Sequence, residues 1–264
     1  MSSFTKAFSS TLGKKLIMGL TGLFLSLFLI VHLIGNLQLF KDDAGKAFNE
    51  YSYFMTHFLP IKIISYLLYA SIVLHAVYAL VITIHNKKAR PVSYASYNGA
   101  ANSTWSSRNM GILGTILLIF IVIHMGNFWF KYHWGGLPYT QYEMSLSNPS
   151  DVKVTNLPIS GEPLIHAEYV NTQTGREVLV AKDLYQVVVF SFSSLWYVVL
   201  YVISMIAMGF HLYHGFQSGF QSLGFDHTKY KPAINWLGTW LFGIIIPAAF
   251  AAIPIYIYIT TLNQ

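Results

Sequence analysis

Five blocks of apolar sequence, each long enough to cross a bilayer, constrain this chain more than any other feature. They run over about 15–39, 63–86, 110–131, 193–218 and 234–260. A helix needs roughly 20 residues to cross the hydrocarbon core. Lipid offers no water to satisfy backbone groups, so segments this apolar must be helices; the short alternating segments of a membrane barrel are absent. Only 10% of residues are charged and 54% are hydrophobic, too little charge to cover a soluble surface. The expected fold is an all-α integral membrane protein, a bundle of five transmembrane helices forming a single membrane domain over residues 1–264. Lys14 and Lys15 precede the first block as in a signal peptide, but it outruns the usual apolar core and lacks a small-residue cleavage site. It is read as a retained helix.

Five crossings put the termini on opposite sides of the membrane. With the N-terminus inside, the short inner segments carry nine basic residues: Lys6, Lys14, Lys15, Lys87, Lys88, Arg90, Arg108, Lys229 and Lys231. The short outer segments carry four, Lys41, Lys46, Lys62 and Lys131. Basic residues favour the cytoplasmic side, which predicts N-terminus in and C-terminus out. The same placement explains the pI near 9.3 without nucleic acid. Residues 132–192, the one soluble-looking stretch, fall outside. Turn signals at Asn148-Pro149-Ser150, Ser160–Pro163 and Asn171–Gly175 separate short β-type runs, Val152–Val154 and Glu177–Ala181. They predict a small extracytoplasmic flap, a hairpin or similar, over the outer mouth of the bundle.

With no cysteine, this chain holds no iron–sulfur cluster, no thiolate-ligated haem and no haem attached through C-x-x-C-H. It does have ten histidines. His32, His75, His124 and His211 fall on the first four helices in succession, and an ionisable ring in hydrocarbon is costly enough to suggest a function. An interhelical hydrogen bond would explain any one of them; four call for more. Depth sorts them. His32 is 18 residues past Lys14, ~27 Å along a helix, and His124 is 16 past Arg108, ~24 Å. His75 is 13 residues from Lys62 and 12 from Lys87, and His211 is 18 past Ser193. An outer pair, His32 with His124, and a deeper pair, His75 with His211, suit two stacked haems, since a porphyrin iron takes two axial ligands at one depth. His85 sits at the inner boundary, and His214, three residues from His211, suits a contact to a bound group or plain packing. His57, His133, His166 and His227 are loop residues.

Glycine spacing adds to this. Gly19 and Gly22 precede His32 by 13 and 10 residues, and Gly111 and Gly114 precede His124 by the same 13 and 10. Ten residues is ~15 Å of helix, about the step between stacked haems, and glycine lets a flat ring approach the backbone. Close helix packing by small residues is the alternative.

The run Leu20-Thr-Gly-Leu-Phe-Leu-Ser-Leu-Phe-Leu-Ile-Val-His32, His75-Ala-Val-Tyr-Ala-Leu80, the late His124, and His211 with Gly215 and Gly224 together resemble a known family. It is the dihaem cytochrome b anchor of succinate:quinone oxidoreductases and quinol:fumarate reductases, in its single-anchor, five-helix type. The resemblance covers all five helices in order. It implies that His32 and His124 ligate the iron of the outer, distal haem b, and His75 and His211 that of the inner, proximal one. It also implies a bacterial cytoplasmic membrane, a flavoprotein and an iron–sulfur subunit docked on the cytoplasmic face, and menaquinone as the quinone. Such an assembly is the respiratory complex II of the tricarboxylic acid cycle, and its dicarboxylate chemistry lies in other subunits.

Two departures stand out: a longer segment between the third and fourth helices, and the position of Glu50. Some relatives use a glutamate near the start of the second helix at the quinone site. Glu50, in Asn49-Glu50-Tyr51, is two residues out of that register; it is either a quinone acid or a solvated loop acid. Arg108 is a candidate for the inner haem propionates, with surface solvation the alternative. Rival readings are another dihaem cytochrome b (b561-like or hydrogenase-type), which pairs ligands on other helices, and a non-haem transporter, which would favour acids or broken helices near the midplane. No Asp or Glu falls inside a block; only Pro247 and Pro254 interrupt the fifth.

Overall fold

The computed structural model describes residues 10–89, 98–148, 151–157 and 165–263. Lys6 and Arg90 of the charge count, Pro149 and Ser150, and the expected turn at Ser160–Pro163 lie outside them. Five helices are long and apolar enough to cross a membrane: α1 (Thr11–Phe40), α3 (Leu59–Lys88), α4 (Met110–Trp134), α6 (Leu195–Ser222) and α7 (Lys231–Leu262). The chain is a multi-pass membrane protein by this measure. Most ends overrun the apolar blocks by a few residues. The helical hydrogen bonds continue through interfacial polar sequence such as Asn86-Lys87-Lys88 and Gln221-Ser222, where apolar periodicity has already stopped. Thirty residues of α1 make ~45 Å of helix, more than the ~30 Å of hydrocarbon.

Besides the one-turn helices Gly99–Asn102 and Trp105–Arg108, two longer ones, α2 (Lys46–His57) and α5 (Leu184–Phe192), lie outside the expected blocks. An aspartate holds the start of each. Asp43 accepts from the amides of Gly45 and Ala47, at 3.1 and 3.0 Å, and Asp183 accepts from Gln186 N at 2.8 Å. Such carboxylates satisfy amides that have no partner inside the helix.

The structure corrects the all-α expectation between the third and fourth spans. The segment is a four-stranded antiparallel sheet, larger than a hairpin, in the order β2-β1-β4-β3. Its strands are β1 (Tyr139–Ser145), β2 (Val152–Leu157), β3 (Ala167–Asn171) and β4 (Arg176–Lys182). The Asn171–Gly175 turn forms as its composition predicts. Asn171 Oδ1 accepts from the amides of Gln173 and Thr174, and Gly175 takes φ +64°. The middle strands hold the buried side chains Tyr142, Val178, Leu179 and Ala181, while β2 is exposed along nearly its whole length. A sheet is stabilised chiefly by such shared burial.

The chain divides into two compact units. The first comprises Met1–Leu33, Ile63–Phe120 and Leu200–Ala252; the second comprises Ile34–Lys62, Ile121–Val199 and Ile253–Gln264. In the first, Met205, Met208, Leu212 and Phe216 of α6 pack on Phe242 and Ile246 of α7, with Leu23 and Ile30 of α1 and Leu117 and Phe120 of α4 around them. Glycines bring the helices close. A Cβ on Gly209 would stand 2.6 Å from the Gly243 carbonyl oxygen, and one on Gly19 would stand 3.2 Å from that of Gly219.

The core of the second unit includes a buried polar knot. Asn49 of α2 donates to the Tyr142 hydroxyl and to Asp183 Oδ1, both at 3.1 Å, and its own oxygen accepts from Tyr185 N at 3.0 Å. Thr140 donates to the other Asp183 oxygen, and Tyr142 donates to the Ala44 carbonyl. Helix α2, strand β1 and the start of α5 are thereby tied together with every partner satisfied. Burial, followed by the Asp183 charge, pushes the Tyr142 phenol far up from its ordinary range, so it stays protonated and donates.

Candidate functional site

Within the first unit the structure brings His75 and His211 together. Their ring centres are 6.2 Å apart and their planes cross at 67°. His75 comes from the middle of α3 and His211 from the middle of α6. His75 Nδ1 lies 3.1 Å from Thr21 Oγ1 on α1. His211 Nδ1 is buried without a partner. Neither ring makes a further hydrogen bond among the described residues, which leaves both Nε2 atoms uncommitted.

The glycines sort into two roles. A Cβ on Gly22 would stand 3.2 Å from Cε1 of His75, and one on Gly114 would stand 3.7 Å from Cε1 of His211. Each histidine of the pair therefore faces a glycine on a neighbouring helix. Gly19 instead meets the backbone of Gly219, the helix-packing role, and Gly111 has nothing within 4 Å. The matched spacing of four glycines thus reflects one pair at the histidines, one position used for packing and one left open.

His32 and His124 belong to different units. In the first, the His32 ring stacks on Phe28, with centres 5.2 Å apart, and meets Phe250 at 5.6 Å. In the second, His124 leads into a wider π-helical stretch, Met125–Phe130, and meets Phe128 edge-on at 5.3 Å. The sequence gives no signal for such a stretch, a feature frequent where helices carry function. Three residues beyond His124, Asn127 donates to the Tyr197 hydroxyl at 2.7 Å.

Glu50 is ion-paired with Lys46 one turn earlier in α2, at 2.9 Å, and its side chain is 44% exposed. Arg108 is exposed and donates to the Gly99 carbonyl at 2.9 Å and to that of Ser103, closing the turn before α4. His85, His57, His133 and His227 are exposed. His57 and His133, read from sequence as loop residues, lie instead in the last turns of α2 and α4; His166 is a loop residue as read, stacked on Tyr53 of α2 at 3.5 Å, with His57 on Tyr53 as well at 4.0 Å. Only the fold could show that placement.

Among the described residues no group of three or more His, Asp or Glu that could hold a metal ion is assembled. A bis-imidazole site is different. Two metal–nitrogen bonds of about 2 Å laid end to end, with half a ring beyond each, separate ring centres by about 6 Å. The observed 6.2 Å agrees. The residues at this pair therefore fit two axial ligands of a haem. Comparison with protein-family models, curated proteins and solved structures found no match to the chain.

Proposed function

We propose that this chain is the dihaem cytochrome b anchor of a succinate:quinone oxidoreductase or quinol:fumarate reductase. It would carry electrons between a cytoplasmic flavin and iron–sulfur module and menaquinone in a bacterial cytoplasmic membrane, with its N-terminus inside. The observation that carries the reading is the facing pair His75 and His211, each with a glycine, Gly22 and Gly114, against its ring. A haem held by His75 and His211 would supply one-electron transfer.

The chain's own residues supply the rest. His75 and His211 hold the inner haem; His32 and His124, one on each of the remaining ligand-bearing helices, hold the outer one. Phe28 and Phe250 flank His32 and keep water from its ring. Glu50 is the acid that exchanges protons with the quinone, and its exposure leaves it in reach of water. Arg108 is a propionate partner only by giving up its backbone contacts.

Redox-resolved optical spectra of the purified protein test the reading. Two reducible low-spin b-type components are expected. A colourless protein would overturn it. Replacing each histidine in turn separates it from other dihaem cytochromes: His75 and His211 must remove one component together, and His32 and His124 the other.

A further inference from the structure

Thr21 lies at a junction of two hydrogen bonds that together decide a proton position on His75. Its hydroxyl is 2.7 Å from the Ile17 carbonyl and 3.1 Å from His75 Nδ1. A carbonyl oxygen only accepts, so the shorter contact uses the single proton of the hydroxyl. Back-bonding of this kind, to the carbonyl four residues earlier, is an ordinary resting place for a helical threonine. The hydroxyl then has only lone pairs to offer His75. The 3.1 Å contact is a hydrogen bond only when Nδ1 carries the ring proton and donates it.

This fixes the tautomer. With Nδ1 protonated, the lone pair of His75 is on Nε2, the nitrogen left uncommitted. Thr21 is itself buried, so water does not compete for the contact. Gly22, the next residue along α1, places its backbone against Cε1 of the same ring. One turn of α1 thus holds both the rotation and the protonation of His75. His211 has no counterpart, since its Nδ1 is buried without a partner.

We propose that Thr21 is the positioning residue of the inner haem: it accepts the Nδ1 proton of His75 and so presents Nε2 to the iron. The inference rests on the dihaem reading above. A hydrogen bond from the outer ring nitrogen raises the basicity of a ligating imidazole, and losing such a partner typically weakens metal binding by about 10- to 100-fold. A less basic ligand stabilises the ferric state less, which moves the potential upward.

The test compares Thr21→Val, which keeps the shape and loses the acceptor, with Thr21→Ser, which keeps the hydroxyl. Both are purified beside the wild type and examined by redox titration, electron paramagnetic resonance and haem retention. Thr21→Val should move one component to higher potential, alter its low-spin signal, and release that haem about 10- to 100-fold more readily. The second component should stay put and so report an intact fold, and Thr21→Ser should match the wild type. Two wild-type components left unchanged by Thr21→Val would overturn this inference alone. Loss of both components together in Thr21→Val would also overturn it, because the role is confined to His75. A wild type without haem would overturn the dihaem reading and this inference with it.

Discussion

Gly22 stands so close to His75 that a Cβ on it would come within 3.2 Å of the ring's Cε1, whereas the same atom on Gly114 would sit at 3.7 Å from His211. The first distance forces a neighbour to give way; the second is ordinary contact. Gly22→Val should therefore abolish one of the two spectral components, Gly22→Ala should shift it, and Gly114→Ala should leave both in place. Gly111→Ala should also be silent, since nothing lies within 4 Å of that position. Reduced-minus-oxidised spectra of the four variants measure this, and equal effects at Gly22 and Gly111 would count against it.

The polar knot in the second unit makes a stability prediction. Asn49→Leu removes two donors and one acceptor from a site where Asp183, Tyr142 and Thr140 are buried. Leaving one buried polar group unsatisfied costs about 1–3 kcal/mol. The variant should unfold at lower temperature in detergent while any haem spectrum keeps its shape. An unchanged melting temperature would show that water or rearranged partners replace Asn49.

Gly45 makes a second. It sits at φ +81°, and a Cβ there would collide with Tyr185 at 2.1 Å from Cγ. Backbone strain and overlap act together, each of order 1–3 kcal/mol. Gly45→Ala should destabilise the protein more than Gly175→Ala, where φ is also positive but the space is open. Thermal unfolding of the two variants ranks them.

His166 makes the segment around it sensitive to pH. Burial lowers its affinity for a proton below the ordinary value of 6.5, Glu168 and Glu50 raise it, and His57 lowers it. Burial is the largest of these, so the folded ring binds protons less readily than the unfolded one. Stability from this group is then fully present above pH 6.5 and is lost as the pH falls through the folded value. Protection of the Ala167–Asn171 amides from hydrogen exchange, corrected for the intrinsic pH dependence of exchange, should fall between pH 7.5 and 5.5 in the wild type. His166→Phe, which keeps a ring for Tyr53 to stack on, should flatten that dependence.

Glu50 offers a direct test of proton exchange with quinone. If Glu50 performs it, Glu50→Gln should slow quinol turnover by about 100-fold or more while both haems remain reducible. Turnover at the wild-type rate would assign Glu50 to its ion pair with Lys46 alone.

The sequence by itself determined the five spans and placed His75 and His211 near the middle of two of them, because both follow from distances along a helix. An apolar run must be helical in lipid, and depth is counted in residues from charged flanks. Asn171–Gly175 was likewise legible, since its turn depends on local hydrogen bonds. Tertiary structure decided what depends on contacts between distant segments. The sheet gained its middle strands through burial of Tyr142, Leu179 and Ala181, and α2 and α5 were fixed by Asp43, Asp183 and Asn49 rather than by apolar periodicity. Four equally spaced glycines looked alike in one dimension. Only packing separated Gly22, against a histidine, from Gly19, against a backbone, and placed the Thr21 hydroxyl where it sets the proton on His75.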